Sequence, residues 1–360
     1  MTKQCYNLYP KIYNFTNLWS AFAKAAKGKR YRSPSVAEFE FNLEPELIQL
    51  EQELQAKIYQ PGVYDNFVIK DPKRRVISSA PFRDRVVHHA LMNIIEPLFE
   101  RLFIHDSYAN RVGKGTHKAL DRCTYYLRRY RYVMHCDIQQ YFPSIDHQVL
   151  RQALARTIGD EQVMALIDKI LASGEGIQTE MYRMVYFAED DLFAGQRLRG
   201  LPIGNLTSQH WANVYLNQFD HYVKRTLKCR AYIRYVDDFL LFADDKSTLH
   251  QWRAAIITFL ADLRLTLHES RAQPRPVSTG VPFLGFTVFP DHRRLKRYNG
   301  YAFQRRFRQL VQAYHAGEIS REQLEASLKG WINHVCYGDT WGLRRSILGQ
   351  VRLLGTVSNG

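Results

Sequence analysis

Hydrophobic positions recur along the chain at two periods, and the switch between them marks out the elements. Leu43, Leu47, Leu50 and Leu54 fall at three- and four-residue spacing, which predicts a helix with one buried stripe. Val86, Val87, Ala90, Leu91, Ile94, Ile95 and Leu98 repeat that spacing between Arg83 and Phe103. Residues 61–85 are turn-rich instead. Pro61-Gly62, the run Phe67-Val68-Ile69, Asp71-Pro72 and the basic triplet Lys73-Arg74-Arg75 before Val76-Ile77 predict a β-hairpin with a basic tip.

The middle third alternates strand and helix. Tyr132 to Ile138 reads as a buried strand with an acid near its end. His147 to Ile158 reads as a helix that Ser144 or Asp146 would cap. Asn205 to Leu227 is a further helix behind a Gly-Leu-Pro-Ile-Gly loop. Strands at Ala231–Val236 and Phe239–Ala243 flank Asp237-Asp238, and a helix over Thr248–Leu263 precedes a short strand at Leu265–His268. That order is close to a split βαβ, ferredoxin-like sheet with its helices on one face. Val281 to Phe289 adds a small hairpin. After Pro290, seven basic residues (Arg293, Arg294, Lys296, Arg297, Arg305, Arg306, Arg308) sit within sixteen and lead into amphipathic helices.

Charge narrows the partners. In 360 residues, Lys+Arg 50 against Asp+Glu 35 leaves +15, and such an excess points to polyanions, nucleic acid or an anionic membrane surface. No apolar run is long enough to span a bilayer, and Lys3, Tyr6, Asn7 and Lys11 interrupt any signal-peptide core. The five cysteines are scattered, which argues against a disulfide framework or a zinc site and fits a reducing cytoplasm.

The acids suggest chemistry. Asp237 and Asp238 lie side by side in a turn lacking Asn-Gly or Asp-Gly, where adjacent carboxylates repel and call for a cation. Asp137 sits near the end of its own strand, and neighbouring strands would bring all three acids to one ion. A few carboxylates plus substrate phosphates are how Mg²⁺ is usually held, and two such ions suit nucleotidyl transfer. A solvated hairpin turn is the plainer alternative. Asp244-Asp245 reads as a capping and solvent feature.

These residues resemble a family. Tyr235-Val236-Asp237-Asp238 resembles the Tyr-x-Asp-Asp box of reverse transcriptases, and Asp137 to Ile145 resembles their first aspartate motif. Leu201 to Gln209 resembles their nucleotide-and-template motif, and Phe283-Leu284-Gly285-Phe286 their primer grip. Arg75-Val76-Ile77-Ser78 with Arg83-Asp84-Arg85 looks like the fingers motif, and Tyr108 to His117 the segment before the palm. The match runs in order from about residue 60 to 350.

The resemblance implies an α+β right-hand polymerase: an N-terminal extension and part of the fingers over 1–130, a ferredoxin-like palm with inserted fingers segments over 131–289, and a helical thumb over 290–360. It implies RNA-directed DNA synthesis with Asp137, Asp237 and Asp238 catalytic. Two Mg²⁺ ions, or Mn²⁺ as a substitute, would be held by these acids and the Ile138 carbonyl. Lys73, Arg75, Tyr141, Phe142, Ile203, Gly204 and Gln209 would bind the nucleotide, with Phe142 blocking a ribose 2′-hydroxyl. Phe283, Leu284 and Gly285 would grip the primer, and Arg293, Arg294, Lys296 and Arg297 would contact template–primer phosphates. Arg271 stands where relatives often carry Lys. Because its pKa makes proton donation unsuitable, its role is open.

Within the family, Ile203 before Gly and the Ser208-Gln209 ending resemble the diversity-generating retroelement group. So does the pattern Asn17-Leu18-Trp19, Gly28-Lys29-Arg30, Leu50 to Leu54 and Tyr59. That resemblance implies error-prone copying of a template-repeat RNA from a DNA or RNA primer with deoxynucleoside triphosphates, a small basic accessory protein as partner, and no membrane. Phage-defence and group II intron-like reverse transcriptases are the alternatives, along with an idle nucleic-acid-binding module and a primase-like polymerase. The length is expected to leave no room for a nuclease or DNA-binding domain.

Overall fold

The computed structural model describes residues 4–28, 33–69, 74–188 and 190–354. From the N-terminus, α1 (Tyr9–Tyr13), α2 (Phe15–Ala26), α3 (Pro34–Phe41) and α4 (Leu43–Gln55) lead into a hairpin of β1 (Asp65–Ile69) and β2 (Arg75–Ser79), then α5 (Phe82–Glu100) and α6 (Thr116–Leu127). The central part runs β3 (Tyr132–Asp137), α7 (Tyr141–Ser144), α8 (His147–Ala155), α9 (Glu161–Ala172), α10 (Leu206–His221), β4 (Tyr232–Tyr235), β5 (Asp238–Ala243), α11 (Lys246–Asp262) and β6 (Pro274–Pro276). A small sheet follows, β7 (Val281–Phe283), β8 (Phe286–Val288) and β9 (Arg293–Leu295), and then α12 (Arg297–His315), α13 (Arg321–Val335) and α14 (Trp341–Leu354).

The apolar stripes are the buried ones. Leu47, Leu50 and Leu54 of α4 and Val86, Val87, Ala90, Leu91 and Ile95 of α5 are inaccessible to solvent. Side-chain caps set the helix starts. Asp146, not Ser144, accepts from the amides of Gln148 (2.9 Å) and Val149 (3.1 Å), and Asp245 accepts from Thr248 (2.7 Å).

The palm is an antiparallel sheet in the order β4-β5-β3-β6, the ferredoxin-like arrangement the element order predicts. Met134, Cys136, Tyr232, Phe239 and Leu241 face the main core beside Phe219 of α10 and Ile256 and Leu260 of α11. Val133, Ile233, Leu240 and Phe242 face a second core with Leu120 and Cys123 of α6 and Phe283 and Phe286. Helices thus cover both faces rather than one, because the second face is as apolar as the first. Truncating a fully buried aromatic such as Phe219 or Phe239 to alanine costs about 3–5 kcal/mol.

Two expectations shift. Leu265–His268 makes no strand; Leu267 forms a single bridge with Ile138, and the fourth strand is β6, pairing Pro276 with Tyr132 and Pro274 with Met134. Prolines are tolerated there because β6 is an edge. Likewise, Asp237-Asp238 is not the turn. Tyr235 pairs with Asp238, so Val236 and Asp237 make the connection and Asp238 opens β5.

Candidate active site

Asp137, the last residue of β3, is the cross-strand partner of Asp238. Directly opposed residues of an antiparallel pair share one face of the sheet. Asp237 lies beside them in the two-residue turn, and its carbonyl accepts from the Ile138 amide at 3.3 Å. Val236 takes a φ of 59°, a left-handed conformation that costs a β-branched residue about 1–3 kcal/mol. Such strain persists only where the surroundings enforce it.

Crowding of like charge shows in the titration of Asp237. Burial first, then the charge of Asp137, pushes its carboxyl from 3.8 up to about 6; Asp238 adds to the rise and Arg75 opposes it. Arg75 is exposed at the start of β2. The other two acids have partners inside the chain. Asp137 Oδ2 accepts from Arg271 Nη1 at 3.0 Å and lies 3.8 Å from His268 Nε2. Asp238 Oδ1 is hydrogen-bonded to His135 Nε2. Among the described residues, no three His, Cys, Asp or Glu side chains are gathered as a metal-ligand cluster. The donor set itself, hard carboxylate oxygens, suits Mg²⁺.

The loop before α10 is stitched to β2 of the first hairpin. The Ser78 amide donates to the Ile203 carbonyl at 2.8 Å, and Asn205 Nδ2 donates to the Ser78 carbonyl at 3.1 Å. Between them Gly204 has a φ of 120°, and a Cβ there would lie 3.1 Å from Ile77 Cγ2 and 3.2 Å from the Ser78 carbonyl oxygen. Only glycine meets both the conformation and the approach. Gln209 is half-buried on the first turn of α10. Tyr141 is buried, its hydroxyl donating to the Ala212 carbonyl at 2.5 Å, and the half-buried Phe142 packs edge-on against it with ring centroids 5.7 Å apart. Lys73 lies outside the described residues.

Phe283 and Phe286 are fully buried and paired across a tight turn of Leu284 (φ 47°) and Gly285 (φ 90°). The Gly285 carbonyl accepts from the Lys296 amide (3.0 Å) and Asn299 Nδ2 (3.2 Å). Of the basic residues assigned to phosphates, Arg293 is tied within the fold, to Asp121 (2.8 Å) and Thr124 of α6. Arg294, Lys296 and Arg297 are exposed and border a cavity of ≈ 520 Å³ with Tyr301 and Thr340.

Sequence reasoning missed His135, His268 and the buried Arg234–Asp220 pair, which lies behind the turn. His135 was within reach, since it lies two residues before Asp137 on the same strand and so shares its face. No helix of the described residues is long and apolar enough to cross a membrane.

The acid-bearing hairpin lies on the central sheet, the loop before α10 is joined to β2, and three helices follow in the chain. Residues 69–288 match the reverse transcriptase (RNA-dependent DNA polymerase) family, and the chain belongs to it. It is similar to protein YkfC of Escherichia coli (strain K12), 26% identical over 300 residues, which are 72% of this chain and 74% of that protein. It is also similar to the group II intron-encoded protein LtrA of Lactococcus lactis subsp. cremoris, 26% identical over 223 residues, 61% of this chain and 34% of LtrA. A solved apo telomerase from Candida Tropicalis, truncated from its C-terminal domain, aligns with a TM-score of 0.44 and 12% identity over 65% of this chain and 55% of that one.

Proposed function

We propose that the chain copies RNA into DNA, and that Asp137, Asp237 and Asp238, with the Ile138 carbonyl, hold two Mg²⁺ ions for the transfer, which Mn²⁺ can replace. The observation that carries this is the placement of the acids inside the stretch that matches the family: Asp137 and Asp238 are directly opposed across β3 and β5, and the charge of both raises the Asp237 carboxyl in the adjoining turn. When bound, the ions supply charge neutralisation at the attacking 3′-oxygen and the leaving pyrophosphate. To hold the ions, Asp137 would give up its bond from Arg271 and Asp238 its bond with His135. Arg75 meets the triphosphate, Phe142 stands against a ribose 2′-hydroxyl, and Ile203, Gly204 and Gln209 shape the nucleotide pocket. Phe283 to Gly285 hold the primer end, and Arg294, Lys296 and Arg297 meet template–primer phosphates. Asp137→Asn and Asp237→Asn, made separately, are each expected to abolish extension of a primed RNA template while leaving the protein folded. Near-normal extension by either variant would sink the assignment.

The biological setting we propose is a diversity-generating retroelement, with a small basic accessory protein as partner. Ile203 supports it, because an aliphatic side chain beside the nucleotide offers shape alone, and shape discriminates by only about 1–3 kcal/mol. The second reading is a group II intron-like or phage-defence system, and the similarity to LtrA favours its intron-like form. A template repeat and a near-identical variable repeat beside the gene, with cDNA errors concentrated opposite adenine, would support the first; random errors and no repeats would support the second.

A further inference from the structure

Behind the turn that carries Asp237 lies a fully buried charge network. Arg234 of β4 and Asp220 of α10 are both inaccessible to solvent and form a bidentate pair, Nε to Oδ1 and Nη2 to Oδ2, each at 2.7 Å. The Tyr232 hydroxyl adds a donor to Asp220 at 2.8 Å. The pair to Asp220 uses two of the guanidinium nitrogens, and the third is used as well. Arg234 Nη1 donates to Asn213 Oδ1 and to the Val236 carbonyl, both at 3.0 Å. Asn213 is fixed in turn by donating to the Ala109 carbonyl at 2.9 Å.

The bond to Val236 falls at a telling place. The Val236 carbonyl belongs to the peptide unit that supplies the Asp237 amide, and Val236 is the strained residue of the turn. On the other side, the Asp237 carbonyl is held by the Ile138 amide. Both peptide planes flanking Asp237 are therefore gripped, one by Ile138 just after β3 and one by a planar guanidinium whose remaining donors are locked to α10. A lysine retains the charge beside Asp220 but cannot present this fork.

We propose that Arg234 is a positioning residue, which holds the Val236–Asp237 peptide so that the Asp237 carboxylate stays against Asp137. The same rod, α10, carries Asn213 and Asp220 at its middle and end and follows the nucleotide loop at its start, so one guanidinium aligns the acid with the pocket. The consequence for turnover rests on the polymerase reading; the positioning itself does not.

The test is Arg234→Lys, read two ways. In amide hydrogen exchange without metal, the Ile138 amide is expected to exchange about tenfold faster or more, while the β3–β5 ladder amides of Met134 and Leu241 keep their protection. In primer extension, kcat is expected to fall by about a hundredfold with KM for the template–primer unchanged. Unchanged exchange at Ile138, or loss of protection across the whole sheet, overturns the proposal, as does an unchanged kcat. If the wild-type protein extends no primer, the polymerase reading fails and the exchange arm still decides the positioning. Should Arg234→Lys not fold, Asn213→Ala removes one anchor without touching the charge pair, and a smaller effect in the same direction is expected.

Discussion

Asparagine at position 237 removes a carboxylate that the fold holds at a cost. The Asp237 carboxyl is raised from 3.8 to about 6 by burial and by the neighbouring Asp137 and Asp238, and a shift of that size corresponds to about 3 kcal/mol between the two protonation states. The sign follows from the direction of the shift. Between these two values the folded state binds more protons than the unfolded one, so the folded state loses stability as pH rises through that window. The penalty is absent below the lower value and complete above about 6. Asp237→Asn is therefore expected to match the wild type near pH 4 and to exceed it by up to about 3 kcal/mol near pH 7.5. Urea unfolding in the presence of a chelator, across that range, measures the gap. Added Mg²⁺ is then expected to stabilise the wild type and narrow the gap, without stabilising the variant, because ligand binding to the native state alone shifts unfolding by mass action. A gap independent of pH, or a variant less stable than the wild type near neutrality, would refute the reasoning.

Three further outcomes follow from the same geometry. Gly204→Ala places a methyl against Ile77 and Ser78 in a left-handed conformation and is expected to raise KM for deoxynucleotides more than it lowers global stability; steady-state kinetics with a thermal melt separates the two. Phe142→Ala is expected to raise ribonucleotide incorporation relative to deoxynucleotide, read by competition in primer extension, and an unchanged ratio removes the gate. Neutralising Arg294 and Lys296 together is expected to flatten the salt dependence of template–primer binding by about two counterions' worth, a slope change of roughly 1.4–1.8, whereas neutralising Arg293, already bound to Asp121, is expected to change it less.

How much of this was legible depended on whether the signal was local. The Leu stripe of α4, the apolar face of α5 and the strand ending in Asp137 each announce themselves through period alone, and the acids through their spacing to those strands. Register did not. Whether Asp238 belongs to the turn or to β5 depends on which residue faces Tyr235, a fact about the partner strand. The prolines of β6 disguised a strand whose edge position makes them acceptable, while Leu265–His268, more strand-like in composition, contributes one bridge. Arg234 carried no local sign of its burial: only the fold brings Asp220 and Asn213 of α10 against it, and no residue near it in the chain discloses that partnership.

The prolines of β6 have a consequence for the chain among its own copies. A sheet ends in rows of unpaired backbone groups, and such a row is a template on which a second molecule can add a strand. Here Pro274 and Pro276 remove two backbone donors from one margin of the palm, with Arg275 set between them. At the other margin the Arg234 amide donates to the Asp106 carbonyl at 2.9 Å, and the Tyr108 amide donates to the Arg234 carbonyl at 3.0 Å. Each margin is thereby a poorer template, so the same short segments that complete the sheet carrying the acids also work against strand addition between copies.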